Sequence, residues 1–304
     1  MIQRGIVSKG DIPLKADGER HSDIALTLIK AFTAPLSQSD EARLSVLCRS
    51  LPDETGSGMI TYPGRFARLD DVIEREIEGN FGARPVRIRE MAASNAITSL
   101  ELFERLKGRE GGISVYATDF FDAVIVVPVA GWVVVFDAER RPIQFVGKRL
   151  VIPANGGIRR RYWFNRLLRK WLVARVLPKA VEGAQLLSSQ WMSLFHPRCL
   201  AMAQSDSHFK LGRESILSPD DAACDVLRVM NLRPLDLTAA CKLIADKGLL
   251  IVGNCFKPSD PLDATVFRRR ADCFEVLRDL GAGFPGKQTI LEMRLAEPRS
   301  AATM

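Results

Sequence analysis

Paired cysteines of the metal or disulfide type are missing from this chain. Its six cysteines, at positions 48, 199, 224, 241, 255 and 273, form no CxxC pair, and its three histidines are scattered. That spacing argues against a zinc ribbon or a secreted disulfide scaffold; buried thiols in a reducing compartment are expected, and no metal. A secretory leader is not expected either, since MIQRGIVSKGDIPLKADGER lacks an apolar centre. The longest apolar run, Val124 to Phe136, is too short to span a bilayer and is broken by Pro128 and Gly131. The expectation is a cytoplasmic protein with no transmembrane segment. A GxGxxG fingerprint is also absent, which places a dehydrogenase behind other readings.

Acidic residues are lacking in one place above all. Between Ile158 and Arg175 stand seven basic residues (Arg159, Arg160, Arg161, Arg166, Arg169, Lys170, Arg175) and no acid. Of 43 Lys and Arg in all, 36 remain elsewhere, matching the 36 Asp and Glu, so the formal charge of +7 has a local origin. A nucleic-acid partner is therefore not indicated by the overall charge. Trp163, Leu167 and Trp171 recur at helical spacing in the same segment. It reads as a basic helix that could close as a lid, with both tryptophans buried, or face an anionic partner or a membrane surface.

With 304 residues, 47% of them hydrophobic, the chain can bury a sizeable core. Helical periodicity is expected from Ser22 to Pro35, from Asp40 to Leu51, and from about Arg65 to Glu78, with Leu69, Val72, Ile73 and Ile77 facing inward. From Val86 onward the pattern changes to strand–helix alternation, the mark of a mostly parallel sheet. Candidate strands are Val86–Glu90, Ile113–Thr118, Phe209–Leu211, Asp225–Met230 and Leu249–Gly253. A late hairpin is expected from Ala264–Arg268 and Phe274–Leu280, and a helix from Leu237 to Ala245. The long insertion between the second and third strands should hold a β-hairpin turning near Glu139 to Arg141, then the basic helix.

The most informative stretch is VRIREMAASNAITSLELFERL, from Val86, followed by ISVYATD from Ile113. A strand enters a loop of tiny residues, the loop enters a helix, and the next strand ends on Asp119. This is the layout in which backbone N–H groups at a helix N-terminus meet a ligand while an acid holds ribose hydroxyls. The loop contains no glycine.

Taken in order, VRIREMAASNAITS, ISVYATDFF, FKLGRESIL, CDVLRVMNL, KGLLIVGN and TVFRRR resemble the motif series of class I S-adenosylmethionine-dependent methyltransferases. They are most like the chemotaxis-receptor branch. The resemblance covers about residues 84 to 270 and rests on the ordered set. It implies S-adenosylmethionine as cofactor, with Ala92, Ala93, Ser94 and Asn95 along its methionine part and Asp119 on the ribose. Phe120 would lie beside the adenine, Ser215 at its edge, and Asn231 beside the reacting methyl. Glu90 is a further candidate, for a ligand ammonium. Ala96 stands in place of the loop's last glycine, and Ile97 and Thr98 in place of a glutamate pair. Met230 and LRPLD also depart from that branch, so a receptor glutamate is not the expected acceptor.

The resulting expectation is an α/β, Rossmann-like methyltransferase sheet, mostly parallel with one antiparallel strand. A helical N-terminal region (1–80) precedes the main domain (84–295), which carries the insertion (124–200), and a flexible tail (296–304) follows. The leading function is methyl transfer to an unidentified acceptor, with an anionic acceptor among the expectations. The alternative is a non-catalytic binding or regulatory module on the same fold.

Overall fold

The computed structural model describes residues 5–6, 61–147, 150–154, 163–186, 191–231, 237–255 and 261–295. The helices expected within 22–51, the tail from 296 and Arg159 to Arg161 lie outside these residues. In chain order the elements begin with β1 (Gly5–Ile6), α1 (Ala67–Phe81), β2 (Val86–Met91), α2 (Ile97–Leu106) and β3 (Ile113–Asp119). Next come β4 (Ala123–Val129), β5 (Trp132–Phe136), β6 (Pro142–Val146), β7 (Leu150–Pro153), α3 (Trp163–Arg175), α4 (Leu177–Leu186) and β8 (Trp191–Ser193). The chain continues with α5 (Pro197–Ser205), β9 (Phe209–Arg213), β10 (Cys224–Met230) and α6 (Thr238–Cys241). It closes with β11 (Ile244–Asn254), β12 (Asp263–Arg270), β13 (Cys273–Leu280) and α7 (Lys287–Glu292). The chain divides into two compact units, one of 62–120 with 198–304, the other of 1–61 with 121–197.

The first unit is α/β. Its seven strands lie in the order β13-β12-β11-β10-β2-β3-β9. From β9 to β11 all neighbours run parallel, and β12 runs antiparallel between β11 and β13. The parallel part therefore has the 3-2-1-4-5 order of a Rossmann-like sheet, and the late hairpin supplies its one antiparallel strand, as expected. Every residue of β10 is buried, which is why CDVLRVM reads as a nearly unbroken apolar run. Helix α1 buries Leu69, Val72, Ile73, Ile77 and Phe81, recurring along one face, and ends where Gly82 takes φ +52. Each such side chain, fully buried, stabilises by about 1.5–3 kcal/mol. This helix, expected in the N-terminal region, belongs to the same compact unit as the seven-stranded sheet.

One expected helix is shorter than its apolar pattern. Of Leu237 to Ala245 only Thr238–Cys241 is helical, and β11 already starts at Ile244. Leu243 and Ile244 join the core with Leu227, Leu250 and Phe267, and a register shift near Cys224 lets Ile244 pair there. Core packing and strand pairing outweigh the local periodicity.

In the second unit the insertion is more than a hairpin and a helix. Six strands form a sheet in the order β1-β7-β6-β5-β4-β8, antiparallel except for the β1–β7 pair. The apolar run Val124 to Phe136 folds back on itself at Ala130 and Gly131. Both have positive φ, as a two-residue hairpin turn demands. The hairpin expected near Glu139 to Arg141 follows, pinned by Asp137, which accepts the Arg141 N–H at 2.8 Å and its Nε–H at 2.6 Å. Helices α3 and α4 bury Leu172, Val176 and Ala180 with Ile125, Val134 and Phe136. Trp171 departs from expectation: it is 50% exposed, because the face of α3 that meets the core carries Leu172 instead. Among the described residues no helix is long and apolar enough to cross a membrane.

Candidate cofactor site

Parallel pairing brings three strand ends to one edge of the seven-stranded sheet. Met91 at the end of β2 is level with Thr118 of β3 on one side and Val229 of β10 on the other. The chain leaves β2 toward β3 and later returns to β2's opposite side as β10, so the strand order reverses here. Crevices at such a point are where open α/β sheets bind ligands.

The loop after β2 carries the most unusual backbone of the molecule. Ala92, Ser94 and Ala96 all take positive φ, at 57°, 56° and 61°. Residues with a side chain are disfavoured there by roughly 1–2 kcal/mol each, and such strain gathers at ligand clamps. The loop persists because its own groups tie it down. The Ala93 N–H donates to the Thr118 carbonyl at 3.0 Å, and the Ala96 N–H to the Ala93 carbonyl at 2.9 Å. The Ser94 N–H donates to Asp119 Oδ2 at 2.7 Å. Asn95 Oδ1 accepts the Ile97 N–H at 3.1 Å, satisfying one donor of the opening turn of α2. Asn95 and Asp119 are buried, and Ser94 Oγ is buried without a hydrogen-bond partner.

The structure thus joins Ala92, Ser94, Asn95 and Asp119 in one cluster. Phe120 adjoins it, its ring 5.0 Å from the Arg213 guanidinium, whose Nε–H donates to the Phe120 carbonyl. Asn231 stands at the end of β10 with φ +60, and its Oδ1 accepts the Cys255 N–H at 2.6 Å, tying this end to the residue after β11. Ser215 lies in a turn closed on Ser218, its Oγ accepting the Leu217 N–H.

Glu90 is placed differently from expectation. It is buried, and its Oε2 accepts from Ser99 Oγ at 2.5 Å and from the Arg228 guanidinium. The carboxylate is balanced from within the protein, and we leave it out of the ligand-holding set. The same arginine, fully buried, donates to Asp70 at 2.7 Å and to the Thr98 carbonyl at 2.9 Å. Burial pushes the Asp70 carboxyl up to about 6 in spite of Arg228 beside it. Arg228 therefore grips both flanks of the strained loop, Glu90 before it and Thr98 after it.

A second buried arginine, Arg89, holds Glu214, Asp220 (2.6 Å) and the Ala222 carbonyl (2.8 Å). Sequence reasoning missed both arginines as organisers. Their signal is an arginine inside a strand-like apolar run, VRIREM and DVLRVM, which demands a buried acid without naming it. Cys224 and Cys199 are poor nucleophiles: burial pushes Cys224 up to about 12 and raises Cys199 as well.

No family model matches the chain, and no curated protein is similar to it. Several solved structures show a distant likeness, and they are methyltransferases by name. One is described as S-adenosyl-L-methionine-dependent, from Methanococcus maripaludis, at 10% identity and TM-score 0.31, covering 64% of this chain and 58% of that one. The CurJ carbon methyltransferase gives 13% and 0.34, with coverage of 77% and 48%. A protein-L-isoaspartate O-methyltransferase gives 11% and 0.33, with 84% and 61%. The chain spans less than two thirds of each of these structures. Likeness at this level carries no inference about chemistry, and none of it singles out the chemotaxis-receptor branch.

Proposed function

We propose that the sheet edge around Ala92–Ala96 and Asp119 binds S-adenosylmethionine and that the protein transfers its methyl group to an acceptor. The observation that carries this reading is the loop itself: three left-handed residues in five, with a loop N–H seated on the acid that ends the next strand. The motif order in the sequence supports it independently. The residues fit the cofactor in two respects. Side chains of at most a few atoms leave the loop backbone approachable, and the buried Ser94 hydroxyl lacks a partner that a ligand can supply. They fail to fit in one: Glu90 is already paired, so a ligand ammonium must be met by other groups.

When bound, the cofactor supplies a methyl group already activated on a sulfonium, which leaves the protein positioning and electrostatics. Asp119 can hold the Ser94 N–H through Oδ2 and still accept ribose hydroxyls, since a carboxylate has about four acceptor positions. Phe120 offers a ring face to the adenine, and Ser215 is the candidate for its edge. Asn231, at the neighbouring strand end, is the candidate beside the transferred methyl.

Calorimetric titration with S-adenosylmethionine and S-adenosylhomocysteine tests the reading. Micromolar affinity, about −8 kcal/mol, is expected. Asp119→Ala should weaken S-adenosylhomocysteine binding by roughly 1.5–3 kcal/mol, and change ligand-free thermal stability by less than ligand-bound stability. No heat at millimolar ligand overturns the proposal in favour of the non-catalytic module. That module would account for Glu90 being bound by Arg228 and Asn231 Oδ1 accepting the Cys255 N–H.

A further inference from the structure

We propose that α3 docks the protein on an anionic lipid bilayer, lying in the headgroup plane with its exposed apolar stripe inserted. Phe164, Leu167 and Trp171 recur at helical spacing and are 38%, 53% and 50% exposed. Three large apolar side chains aligned on one helix face form a patch, which isolated exposed residues do not. At about 100° per residue, the buried Leu172 and Val176 lie to one side of this stripe. Arg175 flanks the stripe on that side and Lys170 on the other, both exposed. That is the arrangement of an interfacial helix, whose apolar side chains enter the acyl boundary while cations reach up to the phosphates.

The charge of the helix itself selects the surface. Within α3 stand Arg166, Arg169, Lys170 and Arg175 and not one Asp or Glu. A neutral surface gives such a segment nothing to pair with, whereas anionic headgroups attract each nearby cation. Mixed aliphatic and aromatic composition separates lipid from nucleic acid, because base stacking uses ring faces and Leu167 offers none. An indole within an apolar stripe suits the boundary between headgroup and acyl chain. The proposal concerns the second unit alone and stands apart from the methyl-transfer reading.

The test is flotation of the full chain with phosphatidylcholine vesicles, with and without phosphatidylglycerol. Binding is expected to the anionic vesicles only, with a blue shift of tryptophan emission that Trp171→Phe reduces. It should fall away at about 1 M salt, where the Debye length is ~3 Å. Leu167→Glu combined with Trp171→Glu, both at exposed positions, should keep the circular dichroism and thermal unfolding of the parent. The double variant should lower vesicle partitioning roughly tenfold or more. Absence of flotation, equal binding to neutral vesicles, or undiminished binding of the double variant overturns the proposal. So does a nucleic-acid complex or a dimer that the same variant abolishes in the absence of lipid binding.

Discussion

Arg228 is the residue on which the first unit's core turns. Its guanidinium is fully buried between Asp70 and Glu90, so Arg228→Met leaves two acids without their partner. Removing one member of a buried pair costs about 3–5 kcal/mol, and urea denaturation should show a loss of that size. Asp70 adds a pH dependence whose sign is fixed. Its carboxyl, raised from 3.8 to about 6, binds a proton more readily folded than unfolded. Its stabilising contribution is full below pH ~4 and is lost as pH rises through about 6, a change of about 3 kcal/mol. Denaturation of Asp70→Asn beside the parent should therefore show the variant gaining relative stability from pH 4 to pH 7; parallel curves would remove Asp70 as the source. Strain at the loop is testable at Ala92, which is only partly buried and takes φ +57. Ala92→Gly should stabilise by up to about 1 kcal/mol, and Ala92→Val should destabilise by roughly 2 kcal/mol, since a branched side chain suits that conformation least. Asp119, Ser94 and Asn95 were legible in the sequence because a strand, a loop of small residues and a helix start form a local pattern. The Arg228–Asp70 pair was not, because its members stand 158 positions apart.

At the scale of elements, the crossover from β9 to β10 has no helix, and Arg89 takes over the work of holding it. The guanidinium reaches from β2 to Glu214, Asp220 and the Ala222 carbonyl, fixing both ends of the connecting loop. Arg89→Met should free residues 214–222, seen as new protease cleavage and faster amide exchange confined to that loop, with about 3–5 kcal/mol lost overall. Unchanged protection there would show that the loop is held by something else. Strands were read from the sequence to within one or two residues where burial on both faces leaves an apolar run bounded by polar turns, as in β2, β3 and β10. The reading overran at 237–245, where a helix forms at Thr238–Cys241 but pairing of Ile244 with Cys224 draws the chain into the sheet. It also failed to divide Val124–Phe136 into two paired strands, since Ala130 gives no turn signal and the breaks at Pro128 and Gly131 do not by themselves mark a hairpin.

For the whole molecule, two compact units imply two unfolding steps. Phe136 lies at the centre of one and Phe267 in the other. Truncating either to Ala should cost about 3–5 kcal/mol, and in denaturant each variant should shift a different transition. A single transition moved equally by both would mean that the units unfold together. The sequence shows a long insertion but not that it is a folded unit of its own, because its sheet draws β1 from the other end of the chain. The pairing of Glu90 with Arg228 has a consequence for how this protein is made. The two residues lie side by side on adjacent strands yet are 138 positions apart. At a synthesis rate of roughly 5–20 residues per second, the nascent chain carries Glu90 for ~7–30 s before its partner exists. The central strand thus waits on the ribosome for its charge to be neutralised, while residues 121–197 emerge and complete the second unit in the interval.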